Sequence, residues 1–215
     1  MGQLGEARYG VVLLLIVATV VVTAASSGRS WAYVAIVALQ ALTLVACLHA
    51  ADARPAAQRL AAAVALLAVL SVAGSRIGAG DDPTGFARIV NAGLVGIAPV
   101  VIARDLWRRP TVTGRTIAGA LCIYLLLGLL YAAGYGIVDA LSSDPALRGP
   151  GGDSEADRLY FSFITMTTTG YGDFTPAPGV PRALAVLEAL SGQLYLVTVI
   201  ALLVGRFTPR RTRDG

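Results

Sequence analysis

The feature that most constrains this chain is a succession of apolar runs, each about as long as the hydrocarbon core of a bilayer is thick. A helix advances about 1.5 Å per residue, so roughly 20 apolar residues cross that core. Six runs meet the requirement: Tyr9 to Ala25, Trp31 to Ala51, Ala56 to Gly74, Phe86 to Ala103, Thr116 to Ala140 and Arg182 to Phe207. Of the 215 residues, 56% are hydrophobic and only 14% charged, which excludes a water-soluble domain. Backbone groups in lipid must be satisfied within the segment. The runs therefore predict an all-α, multi-pass membrane protein with six transmembrane helices.

All positive charge is carried by arginine, since the chain has no lysine. Placing both termini in the cytoplasm puts Arg8, Arg54, Arg59, Arg104, Arg108, Arg109, Arg115, Arg206, Arg210, Arg211 and Arg213 inside. Only Arg29, Arg76, Arg88, Arg148, Arg158 and Arg182 then lie outside, and positive residues favour the cytoplasmic side. Trp31 and Trp107 fall at the two expected membrane edges. The first helix has a second reading as a secretory leader, because its apolar stretch is short and is followed by Thr23, Ala24, Ala25 and Ser26. The opening Met1 to Glu6 lacks the Ser or Thr of a myristoylation site.

Between the fifth and sixth runs lies Thr165 to Pro176, which reads TMTTTGYGDFTP. Carbonyls of an ordinary strand alternate from side to side. Gly170 and Gly172, two residues apart, tolerate the positive φ that turns successive carbonyls to one side, and Thr168 adds a hydroxyl at the inner end. A row of inward oxygens can replace the hydration shell of a cation. The loop faces outward in the arrangement favoured by the arginines.

This stretch, with the helices around it, resembles the filter signature of the tetrameric potassium channels, whose usual form is TVGYG. The resemblance covers Thr116 to Phe207 and implies a re-entrant pore helix and selectivity-filter loop between helices five and six. It assigns ion-binding oxygens to Thr168, Thr169, Gly170 and Tyr171, with Gly172 at the outer mouth. Potassium would be the permeant ion, held by filter carbonyls only; no cofactor, catalysis or nucleic-acid partner is expected. One chain supplies one filter strand, so a ring implies three further copies in a homotetramer. The implied organisation is a four-helix N-terminal transmembrane domain over 1–109, a pore domain over 110–207 and a short basic cytoplasmic tail over 208–215. That tail is too short for a soluble ligand-binding domain. Its arginines, with Arg206, invite anionic lipid or act as ordinary anchors.

Around the filter, Ser154 to Asp157 reads as a capping box that opens a short pore helix ending near Thr167. Its negative end would face a cation below the filter. Tyr160 and Phe161 stand where many relatives carry two tryptophans. They are expected to form an aromatic cuff around Tyr171, with the Tyr160 hydroxyl reaching Asp173. Thr169 replaces the usual valine or isoleucine, and Ile164 leaves no carboxylate behind the filter at its position. Asp139 to Arg158 is an acidic loop that either concentrates cations or is merely solvated. Alignment from the filter glycines places Gly192 at the gating hinge, with close packing as its other reading, and Gln193, Leu196, Ile200 and Val204 along the cavity. Glu188 is an ionisable group within a span, read either as a satisfied hydrogen-bonding residue or as a pH-sensitive one.

A second tripeptide, Gly134-Tyr135-Gly136, lies inside an apolar helix and predicts packing rather than a filter. Cys47 and Cys122 read as small buried residues. His49 reads as an interfacial residue, with a proton sensor as the other possibility. Gly78-Ala79-Gly80 reads as a loop. The fourth helix carries Arg88 and Arg104 only at its ends, so little voltage dependence is expected. A non-selective cation channel of the same architecture is the main alternative. A four-loop potassium transporter or a non-conducting scaffold fits the intact single filter less well.

Overall fold

The computed structural model describes residues 2–25, 30–78, 85–108, 113–151 and 154–206. The helices are α1 (Gly2–Ala25), α2 (Ser30–Ala50), α3 (Pro55–Gly78), α4 (Gly85–Trp107) and α5 (Gly114–Leu141), then, past the strand β1 (Leu147–Arg148), α6 (Glu155–Met166). The strand β2 (Thr175–Pro176) follows the filter stretch, and α7 (Val180–Arg206) completes the fold.

Among the described residues, α1, α2, α4, α5 and α7 are long and apolar enough to cross a membrane. The expected count of six is not reached on that criterion. The third run does form a helix, α3, and among its described residues the apolar stretch is Ala61–Leu70. The side chains of Trp31, Ile200, Val204 and Arg206 lie outside the described residues, as do Ala79, Gly80, Asp153 and the tail with Arg210, Arg211 and Arg213.

One apolar core runs through the bundle. It joins Tyr9, Val12 and Ile16 of α1, Val37 and Leu44 of α2, Leu94 and Ile102 of α4, Leu126 of α5 and Leu159 of α6. The core therefore crosses the 109/110 boundary instead of stopping there, and α1 packs on α5 and α6 as well as on α2. Removing α1 would strip three fully buried side chains from this core. Cys47 and Cys122 are buried free thiols within it. Three hydroxyls inside the bundle are satisfied locally: those of Thr19, Thr23 and Thr43 donate to carbonyls four residues back, a pairing that needs no water.

The two ends of the bundle are tied differently. At the end holding the α4–α5 connection, the Tyr9 hydroxyl donates to Asp105 at 2.9 Å, and Arg115 pairs with Asp105 at 3.0 Å. Arg115 also donates to the Ala50 carbonyl and lies over the Tyr9 ring, so four helices meet at one knot. At the opposite end, Arg88 at the start of α4 donates to the Gly136 carbonyl at 2.8 Å. Arg104, near the other end of α4, is exposed.

Candidate filter site

The site begins with the cap of α6. Ser154 Oγ accepts from the Asp157 amide at 3.1 Å and donates to the Asp157 carboxylate at 2.7 Å, which starts the helix as the sequence pattern requires. Glu155 and Asp157 sit in the first turn, where negative charge complements the helix dipole. The helix ends at Met166, and the chain then enters the filter stretch.

Backbone geometry changes abruptly there. Thr168, Gly170 and Gly172 have φ values of 56°, 50° and 80°. Positive φ thus recurs at every second residue, and Thr168 takes it although it is not glycine, a conformation that carries a strain cost. Inverting alternate residues turns the carbonyls of an extended segment toward one side. The base of the stretch is fixed by the amides of Thr169 and Gly170, both donating to the Ile164 carbonyl, at 2.8 and 3.2 Å. All of residues 167–173 are exposed in the single chain.

Side chains brace this stretch from both ends. Gln193 Nε2 of α7 donates to Thr168 Oγ1 at 3.1 Å, and the hydroxyls of Thr167 and Thr169 lie 2.9 Å apart. The Tyr160 hydroxyl donates to Asp173 at 2.8 Å, and its ring stacks on Tyr171 with centroids 6.5 Å apart and planes 7° from parallel. That hydrogen bond to Asp173 raises the Tyr160 phenol above its ordinary pKa. Phe174 and Tyr160 meet in an edge-to-face arrangement, with centroids 5.8 Å apart.

Phe161 is placed differently from the expected cuff. It is buried against Tyr135 of α5, with centroids 5.3 Å apart, in a small cluster with Ala146 and Leu147. Consecutive residues on a helix point about 100° apart, and here Tyr160 turns to Asp173 while Phe161 turns to Tyr135. Phe161 instead seats the pore helix on α5.

The loop before α6 is joined to the segment after the filter by the antiparallel pair β1–β2, with Leu147 opposite Pro176 and Arg148 opposite Thr175. A hydrogen bond from the Ala177 amide to the Ala146 carbonyl extends the pairing. Gly149 lets the loop pass within contact of Phe174 and the Asp173 carbonyl, where a β-carbon would not fit.

Several residues important to this arrangement carry little signal in the sequence. Arg158 is 1% exposed and bridges Asp139 of α5 at 2.6 Å and Glu155 at 2.7 Å. Burial alone would lower its pKa, but Glu155 and Asp139 outweigh burial and hold the guanidinium above its ordinary range. Gly136 of the second tripeptide leaves room for the Arg158 side chain. Its neighbour Tyr135 is buried and donates to Glu188 at 2.8 Å. Gly128 of α5 and Gly192 of α7 face the last turns of α6, at Phe163 and Met166, and neither has space for a β-carbon. The expected cavity residues lie along α7, Gln193 exposed and Leu196 half-buried.

Residues 120–208 match the family model described as an ion channel. The chain is 34% identical over 106 residues to the two pore potassium channel a of Oryza sativa subsp. japonica, covering 49% of this chain and 27% of that protein. It is 34% identical over 86 residues to the inward rectifier potassium channel Kirbac3.1 of Paramagnetospirillum magnetotacticum, covering 40% and 28% respectively. It is 52% identical over 46 residues to the probable potassium channel protein 2 of Methanocaldococcus jannaschii, covering 20% and 13%. The chain thus matches no more than 28% of the length of any of these three relatives. No solved structure matches it.

Proposed function

We propose that this chain, a multi-pass membrane protein whose residues 120–208 match the ion-channel family, conducts potassium passively through a homotetrameric pore. The observation that carries the reading is the alternation of left-handed φ at Thr168, Gly170 and Gly172 in a stretch fully exposed on the single chain. Such a strand offers oxygens to an ion from one side only. Four copies about one axis would complete the coordination. The exposed apolar residues of α7, among them Leu187, Leu190, Leu194 and Val197, would then be covered by neighbouring copies and lipid.

In this reading Thr168, Thr169, Gly170 and Tyr171 supply the filter oxygens and Gly172 ends the filter at the outer mouth, both termini being cytoplasmic. Asp173 and Tyr160 hold the mouth at fixed width, while Gln193 orients the Thr168 hydroxyl at the inner end. Gating by voltage is not part of the proposal. A sensor needs several charges that cross the field, each worth about 2.3 kcal/mol per 100 mV. Arg88 is tied to α5 and Arg104 sits at the far end of α4.

The test is reconstitution of the full chain in liposomes and measurement of the reversal potential under opposed potassium and sodium gradients. A value near the potassium equilibrium potential is expected. A value at zero would make the protein a non-selective cation channel, and one near sodium would sink the reading altogether.

A further inference from the structure

Glu188 is completely buried at the junction of α5, α6 and α7. Its Oε2 accepts from the Tyr135 hydroxyl at 2.8 Å, and its Oε1 is in hydrogen-bond contact with Ser162 Oγ. Ser162 Oγ also lies 2.7 Å from the Gly128 carbonyl oxygen. These three contacts fix the protons. A serine hydroxyl has one hydrogen and a backbone carbonyl has none. Two oxygens at 2.7 Å with no proton between them repel, so the Ser162 proton belongs between Ser162 and Gly128. The contact between Ser162 and Glu188 then needs a proton of its own, which only the Glu188 carboxyl can provide.

Charge leads to the same conclusion. Among the described residues no arginine pairs with Glu188. Among the described titratable groups, Tyr135 of α5 meets the carboxyl directly, while Tyr131 of α5 bonds Ser191, whose hydroxyl reaches only the Glu188 backbone carbonyl. A bare carboxylate without a cation is strongly disfavoured in a site of this kind.

We infer that Glu188 is a neutral carboxylic acid that donates to Ser162 and so positions the pore helix between α5 and α7. The inference rests on the channel reading above. The relay runs from Tyr135 O–H to Glu188 Oε2, from Glu188 O–H to Ser162 Oγ, and from Ser162 O–H to the Gly128 carbonyl. It leaves every oxygen in the set satisfied. It also joins the three helices one turn from where Gly128 and Gly192 close on Met166, immediately before the filter. Glu188 is a positioning residue that touches no ion, and it acts through Ser162.

The experiment compares the wild-type full chain with Glu188→Gln and Glu188→Ala in liposomes, using infrared difference spectra and reversal potentials. A glutamine can donate to Ser162 and accept from Tyr135 in the same geometry. The expected result is a carboxylic-acid C=O band in the wild type that is lost in Glu188→Gln, with selective flux retained in Glu188→Gln and lost in Glu188→Ala. A spectrum in which Glu188→Gln removes only a carboxylate band overturns the inference, as does failure of Glu188→Gln to assemble or to select potassium. A wild type that reverses at zero defeats the potassium reading but leaves the infrared result to decide the proton.

Discussion

Met166 fills the space that a side chain at position 192 would need. A β-carbon on Gly192 would stand 2.5 Å from Met166 Cγ and 2.6 Å from the Met166 carbonyl oxygen. The second contact is with backbone, which cannot rotate away. Gly192→Ala should therefore destabilise the protein by about 1 to 3 kcal/mol, the usual cost of overpacking. Thermal unfolding in detergent would measure this, and adding Met166→Ala should restore little, because the carbonyl remains. A Gly192→Ala protein of unchanged stability but altered open probability would make hinge bending, rather than close approach, the reason for the glycine.

The bond from Tyr160 to Asp173 gives a second prediction. Tyr160→Phe keeps the ring stacked on Tyr171 and removes only the hydroxyl. Sustained potassium flux through the variant should decline faster than in the wild type, because Asp173 loses its link to the pore helix. The pKa of the phenol is raised in the folded protein, so its contribution is present below the ordinary tyrosine value of about 10 and is lost as pH rises through the raised value. Identical current decay in the two proteins at neutral pH would show that the bond does not steady the filter.

Arg158 offers the largest expected effect on stability. Arg158→Met would leave Asp139 and Glu155 without their shared cation at a site where the arginine is almost completely buried. Breaking a buried pair by removing one partner costs about 3 to 5 kcal/mol. Arg158→Lys should recover only part of this, since an ammonium cannot span two carboxylates as a guanidinium fork does. Denaturant midpoints of the three proteins provide the comparison.

Neutralising Arg104 should leave the conductance–voltage relation where it is. This arginine is exposed near one end of α4, and the residues from Ile89 to Ala103 carry no charge. A steep relation that shifts in Arg104→Gln would mean that α4 moves charge through the field after all.

The parts of the fold that follow from local patterns are readable in the sequence. Apolar length announces the long helices, Ser154 with Asp157 announces the start of α6, and paired glycines announce the filter backbone. Thr168 shows where that reasoning stops, since it takes a positive φ without being a glycine. Phe161 looks equivalent to Tyr160 in sequence, but helical rotation sends it to Tyr135. Arg158 looks like one more solvated charge in an acidic loop; only the meeting of α5 with α6 reveals that it is enclosed. The second Gly-Tyr-Gly was legible as a packing motif, yet what it packs against, Arg158 and Glu188, depends on contacts 22 and 53 residues away.

The seat of α1 against α5 and α6 has a consequence for how the protein is made. This helix leaves the ribosome before the helices it packs on, and the side chains that hold the Tyr9 hydroxyl and cover its ring, Asp105 and Arg115, are synthesised about a hundred residues later. For that interval α1 can find only part of its packing, with α2. Closing so long a loop is entropically costly and slow relative to pairing neighbours. Completion of the core around α1 therefore waits on α5 and α6, and a chain released before α6 has emerged would hold an unfinished core.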